Sequence, residues 1–264
     1  MLTILLSIFA LSMAHASSAE LSPLLGRVSA ECKTATANVQ KHVWIFKQWH
    51  LPSGFDAHDR AKSRHYPQLG NQTAIFKQLD RWIESSQLNT VVAEGCSGEL
   101  TRESAYKMNG WTMNELEAES RKPHFDDEII SSVPMKLEAK YGDRVKTLCG
   151  DDEALIRENQ LAFSDARGLL GYMMRLEQYK KDPAQAKPYL DDVIRMNKLP
   201  KDTQPAQAIQ RLRQELVKAV DRIETAIAKR NEKAVTTVEL AGARESAIIF
   251  GGMHAAGIKA LLEK

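Results

Sequence analysis

The sequence predicts an α/β protein, with a small, mainly parallel sheet flanked by helices and a large helical insertion before the last strand. Three observations predict it. Short runs of β-branched and aromatic residues alternate with stretches of helical periodicity, the pattern of parallel βαβ pairing. Those runs stop at glycines, histidines or carboxylates. A long polar stretch with helical spacing, residues 154–232, separates the last run from the others.

Taken in order, KHVWIFKQWH (41–50) is strand-like and ends at the turn signal LPSG. In NQTAIFKQLDRWIESS, Ile75, Leu79, Trp82 and Ile83 recur at helical spacing, with Asn71 as the candidate N-cap. NTVVAEG (89–95) is the second strand. Residues 97–140 are polar and carry Gly110, Pro123 and Pro134, which predicts short helices and loops. DRVKTLCGDDE (143–153) contains the third strand. The helical stretch ends in a stripe of Leu212, Leu216, Val220, Ile223 and Ile227, a packing face. Pro183, Pro188, Pro200 and Pro205 should divide that stretch into separate helices. SAIIFGG is the last strand and AAGIKALLEK the closing helix.

The chain has 264 residues, 43% hydrophobic and 27% charged, enough for one large domain or one with a sizeable insertion. The formal net charge is only +2, and no basic run is interleaved with aromatics. Nucleic acid is therefore not an expected partner. Leu2 to Met13 is apolar, too short to span a bilayer but suited to the core of a signal peptide, with Ala14-His15-Ala16 and Ser17-Ser18-Ala19 offering cleavage sites. The bland alternative is an N-terminal core helix. We expect residues 1–19 to be a signal peptide and 20–264 one α/β domain, exported to the periplasm or the exterior without a stable membrane anchor after cleavage. In an oxidising compartment, Cys32, Cys96 and Cys149 would leave one cysteine unpaired, and their pairing stays open.

In parallel sheets, sites gather beyond the carboxyl ends of the strands. Those ends carry His50, then Glu94-Gly95, then Gly150-Asp151-Asp152-Glu153, then Gly251-Gly252-Met253-His254. Imidazoles and carboxylates together can ligate a divalent ion, which pulls the pKa of bound water to about 7. Alternatively, a histidine oriented by a carboxylate can act as general base. His254 also precedes a helix, whose N-terminal dipole favours the neutral ring. Plainer roles exist for each residue. Either histidine could be a hydrogen-bonded surface residue, Glu94 a helix cap, and Asp151 to Glu153 a capping run for EALIREN. His58 and His65 are secondary ligand candidates, and His124 has similar status. Cys96 could be a nucleophile but is more in keeping with a buried or paired cysteine.

Together, a first strand ending in His50, the VVAEG strand and the closing GGMHAAGIKALLEK resemble the TraB/GumN/PrgY and Tiki superfamily, related to ChaN-like and erythromycin-esterase-like proteins. Gly251 and His254 fit its G-x-x-H pattern, Arg230-Asn231 its Arg-Asn pair, and Gln72 its polar residue at a helix start. The first histidine departs from the pattern, because Lys47 stands where the family usually has glycine. That puts a cation near any metal.

The resemblance implies an α/β sheet with helical insertions. It also implies hydrolysis of peptide or small-molecule ester bonds, with Mn, Co or Zn as cofactor in some members. His50 and His254 would be ligands or bases, and Glu94 a third ligand or an orienting group. Arg230 would stabilise developing oxyanion charge or a substrate carboxylate, its plain alternative being a surface salt bridge. The rival expectation is a ChaN-like haem- or metal-binding protein without turnover, for which Tyr66 and Tyr106 could supply an axial ligand. A scaffold with a degenerate site is a third.

Overall fold

The computed structural model describes residues 41–51, 66–101, 103, 112–126 and 131–264, and the backbone of 25–30. The expectations for residues 1–19, Cys32, His58, His65 and Tyr106 lie outside the described residues. Among the described residues, no helix is long and apolar enough to cross a membrane.

The fold is α/β, as the sequence predicts. Five strands, β1 (Leu25–Ala30), β2 (Lys41–Gln48), β3 (Thr90–Ala93), β4 (Lys146–Cys149) and β5 (Glu245–Gly251), form one sheet in the order β1-β2-β5-β3-β4. Only β1, which the sequence reading did not foresee, runs antiparallel to its neighbour. The other pairings, β2–β5, β5–β3 and β3–β4, are parallel. In register, Gln48 faces Gly251, Ile249 faces Ala93, and Ala93 faces Cys149. Four strands therefore end along a common rim. The central position of β5 explains its sequence: Ser246 to Gly251 are all buried, as expected of a strand covered on both faces. Ile248, Ile249 and Phe250 each contribute about 1.5–3 kcal/mol by that burial.

One face of the sheet is covered by α1 (Pro67–Glu84) and α3 (Val133–Tyr141), whose Phe76, Leu79 and Leu137 pack on Phe46, Val91 and Ile249. The short α2 (Met113–Ser120) precedes α3. The other face is covered by the end of α6 (Pro205–Ala241) and by α7 (Ala255–Leu262). There Val235, Val238 and Ile258 meet Val43, Ile248 and Phe250. The earlier part of α6 packs with α4 (Glu153–Glu177) and α5 (Pro183–Asn197) around a separate core that includes Leu176, Leu190, Leu212 and Leu216. At 37 residues, α6 is roughly 55 Å long and serves both cores.

Three readings of the sequence are corrected. Asn71 is not the N-cap of α1, because proline's fixed φ lets the helix start at Pro67, four residues earlier. Instead Asn71 is buried, accepting from Trp49 N and donating to Lys47 O, while the adjacent Gln72 donates to Trp49 O and accepts from Val133 N. Pro188 does not break its helix: it lies in the second turn of α5, where the loss of one donor is offset by the packing of Leu190 and Val193. Finally, the helical stretch runs past residue 232 to Ala241. The cysteine pairing left open by the sequence is resolved as a Cys96–Cys149 disulfide, with Cα atoms 5.0 Å apart.

Candidate functional site

The rim formed by the strand ends brings His50, Glu94, Asp151 and His254 together with Arg230 and Asn231 from α6. Glu94, directly after β3, is the hub. Its Oε1 accepts from Arg230 Nη2 at 2.7 Å and lies 3.5 Å from His254 Nε2. Its Oε2 accepts from the backbone N–H of Gly251 and lies 3.5 Å from His50 Nε2. The carboxylate thus sits between two imidazoles and caps no helix.

Arg230 is not a surface ion pair. It is 5% exposed, and its Nε and Nη2 reach both oxygens of Asp151, itself fully buried, at 2.7–3.1 Å. Burial alone would lower the guanidinium pKa, but the bonds to Asp151 and the charge of Glu94 outweigh it and raise the value above its ordinary range. Asp151 Oδ2 also accepts from Gly95 N at 3.2 Å and Oδ1 from Asp152 N at 3.1 Å. The capping expectation for this run holds only for Asp152, whose side chain accepts from Ala154 N and Leu155 N at the start of α4.

His254 is 3% exposed and stands immediately before α7. Its Nδ1 is 2.7 Å from Asn231 Oδ1, so Nδ1–H donates and the lone pair rests on Nε2, which faces Glu94. The edge of Phe250 packs against the ring at 5.4 Å between centroids. Burial lowers the His254 pKa most. Glu94 and Asp151 pull it up, Arg230 and His50 push it down, and the net direction is down. The His50 side chain, by contrast with the buried His254 ring, is 63% exposed. Gly251 lies between the two. A Cβ there would stand 2.9 Å from His50 Nε2 and 3.2 Å from Glu94 Oε2, so a larger residue would displace the exposed His50 ring from Glu94.

Lys47 occupies ordinary strand geometry and hands its carbonyl to Asn71, so the turn does not need glycine's freedom. His124 lies exposed in the turn after α2. His42, at the other end of β2, bonds Glu245 at 2.6 Å, far along the strand from the rim. Sequence reasoning missed the clamp role of Asp151 and the orienting role of Asn231. Asp151 was visible as a strand-end carboxylate but is indistinguishable by composition from the capping residue beside it.

The donor set suits a divalent ion poorly. Both Glu94 oxygens already accept from N–H donors, and a buried guanidinium would lie beside the cation. Among the described residues, no group of three or more His, Cys, Asp and Glu side chains is arranged to hold a metal. A haem fits no better at His254, whose ring is bordered by Glu94, Asn231 and the edge of Phe250 and has no broad apolar wall. No family model, curated protein or solved structure matches this chain.

Proposed function

We propose that the protein is an exported hydrolase of the TraB/Tiki-like kind that cleaves small-molecule ester or peptide bonds by metal-free acid–base chemistry. The observation that carries this reading is Glu94, held between the Nε2 atoms of His254 and His50. His254, neutral and with its lone pair on Nε2, takes a proton from water as that water attacks the carbonyl carbon. The bond to the leaving group breaks, and the imidazolium at His254 passes that proton to the departing oxygen or nitrogen, returning to its neutral form, while the exposed His50 hydrogen-bonds the substrate on the other side of Glu94. Glu94 balances the imidazolium formed at His254. Arg230, engaged by both Glu94 and Asp151, fixes the carboxylate in place and does not touch substrate. Trp49 and Met253, each next to a histidine, are 37% and 50% exposed and offer an apolar border to a substrate side chain or acyl group.

The experiment is hydrolysis of activated esters and of peptides by wild type, His254→Ala and His50→Ala, with chelator, with added Mn, Co or Zn, and with hemin. We expect chelator-resistant turnover and a loss of about 10²–10⁴ in kcat for His254→Ala. Full activity in both variants would overturn the mechanism. Activity that appears only with an added ion, or a ligated absorption band with hemin and no turnover, would favour the metal or haem reading instead.

A further inference from the structure

We infer that the Cys96–Cys149 disulfide is a positioning element for the rim, setting the separation of the two carboxylates that grip Arg230. The sequence around the bond is symmetric about it: Glu94-Gly95-Cys96 leaves β3, and Cys149-Gly150-Asp151 leaves β4. Each sulfur therefore stands two residues from one jaw of the clamp. Arg230 reads the distance between those jaws directly, since Nη2 bonds Glu94 Oε1 and Asp151 Oδ2, both at 2.7 Å. Asp151 also reaches back across the gap to accept from Gly95 N, the residue just before Cys96.

The strands alone hold this spacing weakly. β3 and β4 have four residues each, and β4 is the last strand of the sheet. Its outer edge is met by the chain that follows Cys96, which folds back so that Cys149 N donates to Gly98 O and Leu100 N to Thr147 O, at 2.8 and 3.0 Å. Leu100 and Met135 pack around the two cysteines. The covalent link thus pins both the fold-back segment and the end of an edge strand at the level of the rim. A bond spanning 53 residues restricts the unfolded chain wherever it is placed. Its placement between the two jaws is what adds control of Arg230.

The inference rests on the clamp geometry and not on hydrolysis, so its test uses no substrate. The probe is hydrogen exchange and chemical shift of the Arg230 Nε–H by NMR, read beside the backbone amides of Ile248 and Ile249. The bond is opened with a water-soluble phosphine, which takes oxygen from water to become the phosphine oxide and leaves two thiols. It is removed altogether in Cys96→Ala/Cys149→Ala. We expect Arg230 Nε–H protection to fall at least tenfold and its shift to move, while the Ile248 and Ile249 amides stay protected. Unchanged Arg230 protection without the disulfide would overturn the inference. So would loss of Ile248 and Ile249 protection together with Arg230, or failure of the double variant to fold, because the bond would then secure the whole sheet.

Discussion

Asn231 and His254, 23 residues apart, meet through a 2.7 Å contact between Oδ1 and Nδ1, and that bond decides which ring nitrogen faces Glu94. A histidine buried this deeply would otherwise be free to present either nitrogen to the rim.

Removing the anchor should therefore damage chemistry more than binding. Asn231→Ala leaves Nδ1–H buried without its partner, at a cost of about 1–3 kcal/mol, and should lower kcat at least tenfold with little change in KM. Gly257→Ala should imitate it while keeping Asn231, because its Cβ would stand 2.2 Å from Asn231 Nδ2. Steady-state kinetics and urea unfolding of both variants are the measurements. Wild-type kcat in a folded Gly257→Ala would contradict the assignment.

Ion pairs in this protein should differ sharply in worth. Arg230→Met leaves two buried carboxylates, Glu94 and Asp151, without their shared cation, and should cost about 3–5 kcal/mol. Lys187→Ala breaks an exposed pair with Asp191 and should leave the unfolding midpoint almost unchanged. Denaturant midpoints compare the two, and equal costs would mean that the clamp is solvated.

Stability should fall on acidification through His254. Its folded pKa lies below the ordinary 6.5, so above that value both folded and unfolded forms are neutral. As the pH drops below 6.5, the unfolded chain takes its proton first and the native state loses ground, by at most about 1.4 kcal/mol per pH unit. The loss levels off below the folded value, where both forms are charged. The difference in unfolding free energy between wild type and His254→Gln, followed from neutral pH downward, should carry this slope. A pH-independent difference would show that His254 titrates as it does in the unfolded chain.

The fold was legible because its strands are separated by patterns of a different period. AIIF against the stripe of Leu212, Leu216 and Ile223 needs no tertiary knowledge. β1 was missed because LGRVSA lacks alternation and pairs only as an edge. His50, Glu94 and His254 could be grouped in advance because parallel strands end together. Asp151 and Asn231 could not be assigned the same way, since their roles depend on which face of α6 turns toward the rim. The role of Asn71 is hidden in the sequence for a related reason. An amide near a helix start looks like a cap until the neighbouring strand end is seen to need its hydrogen bonds.

The continuity of α6 carries a constraint of phase. One unbroken screw places Leu212 and Leu216 in the insertion's core and Arg230 and Asn231 at the sheet. Adding or deleting a single residue between those stretches would turn one end against the other by about 100° and shift it by about 1.5 Å. A change of length in the connections between helices would escape this penalty, whereas within α6 the arm and the rim must keep a common pitch.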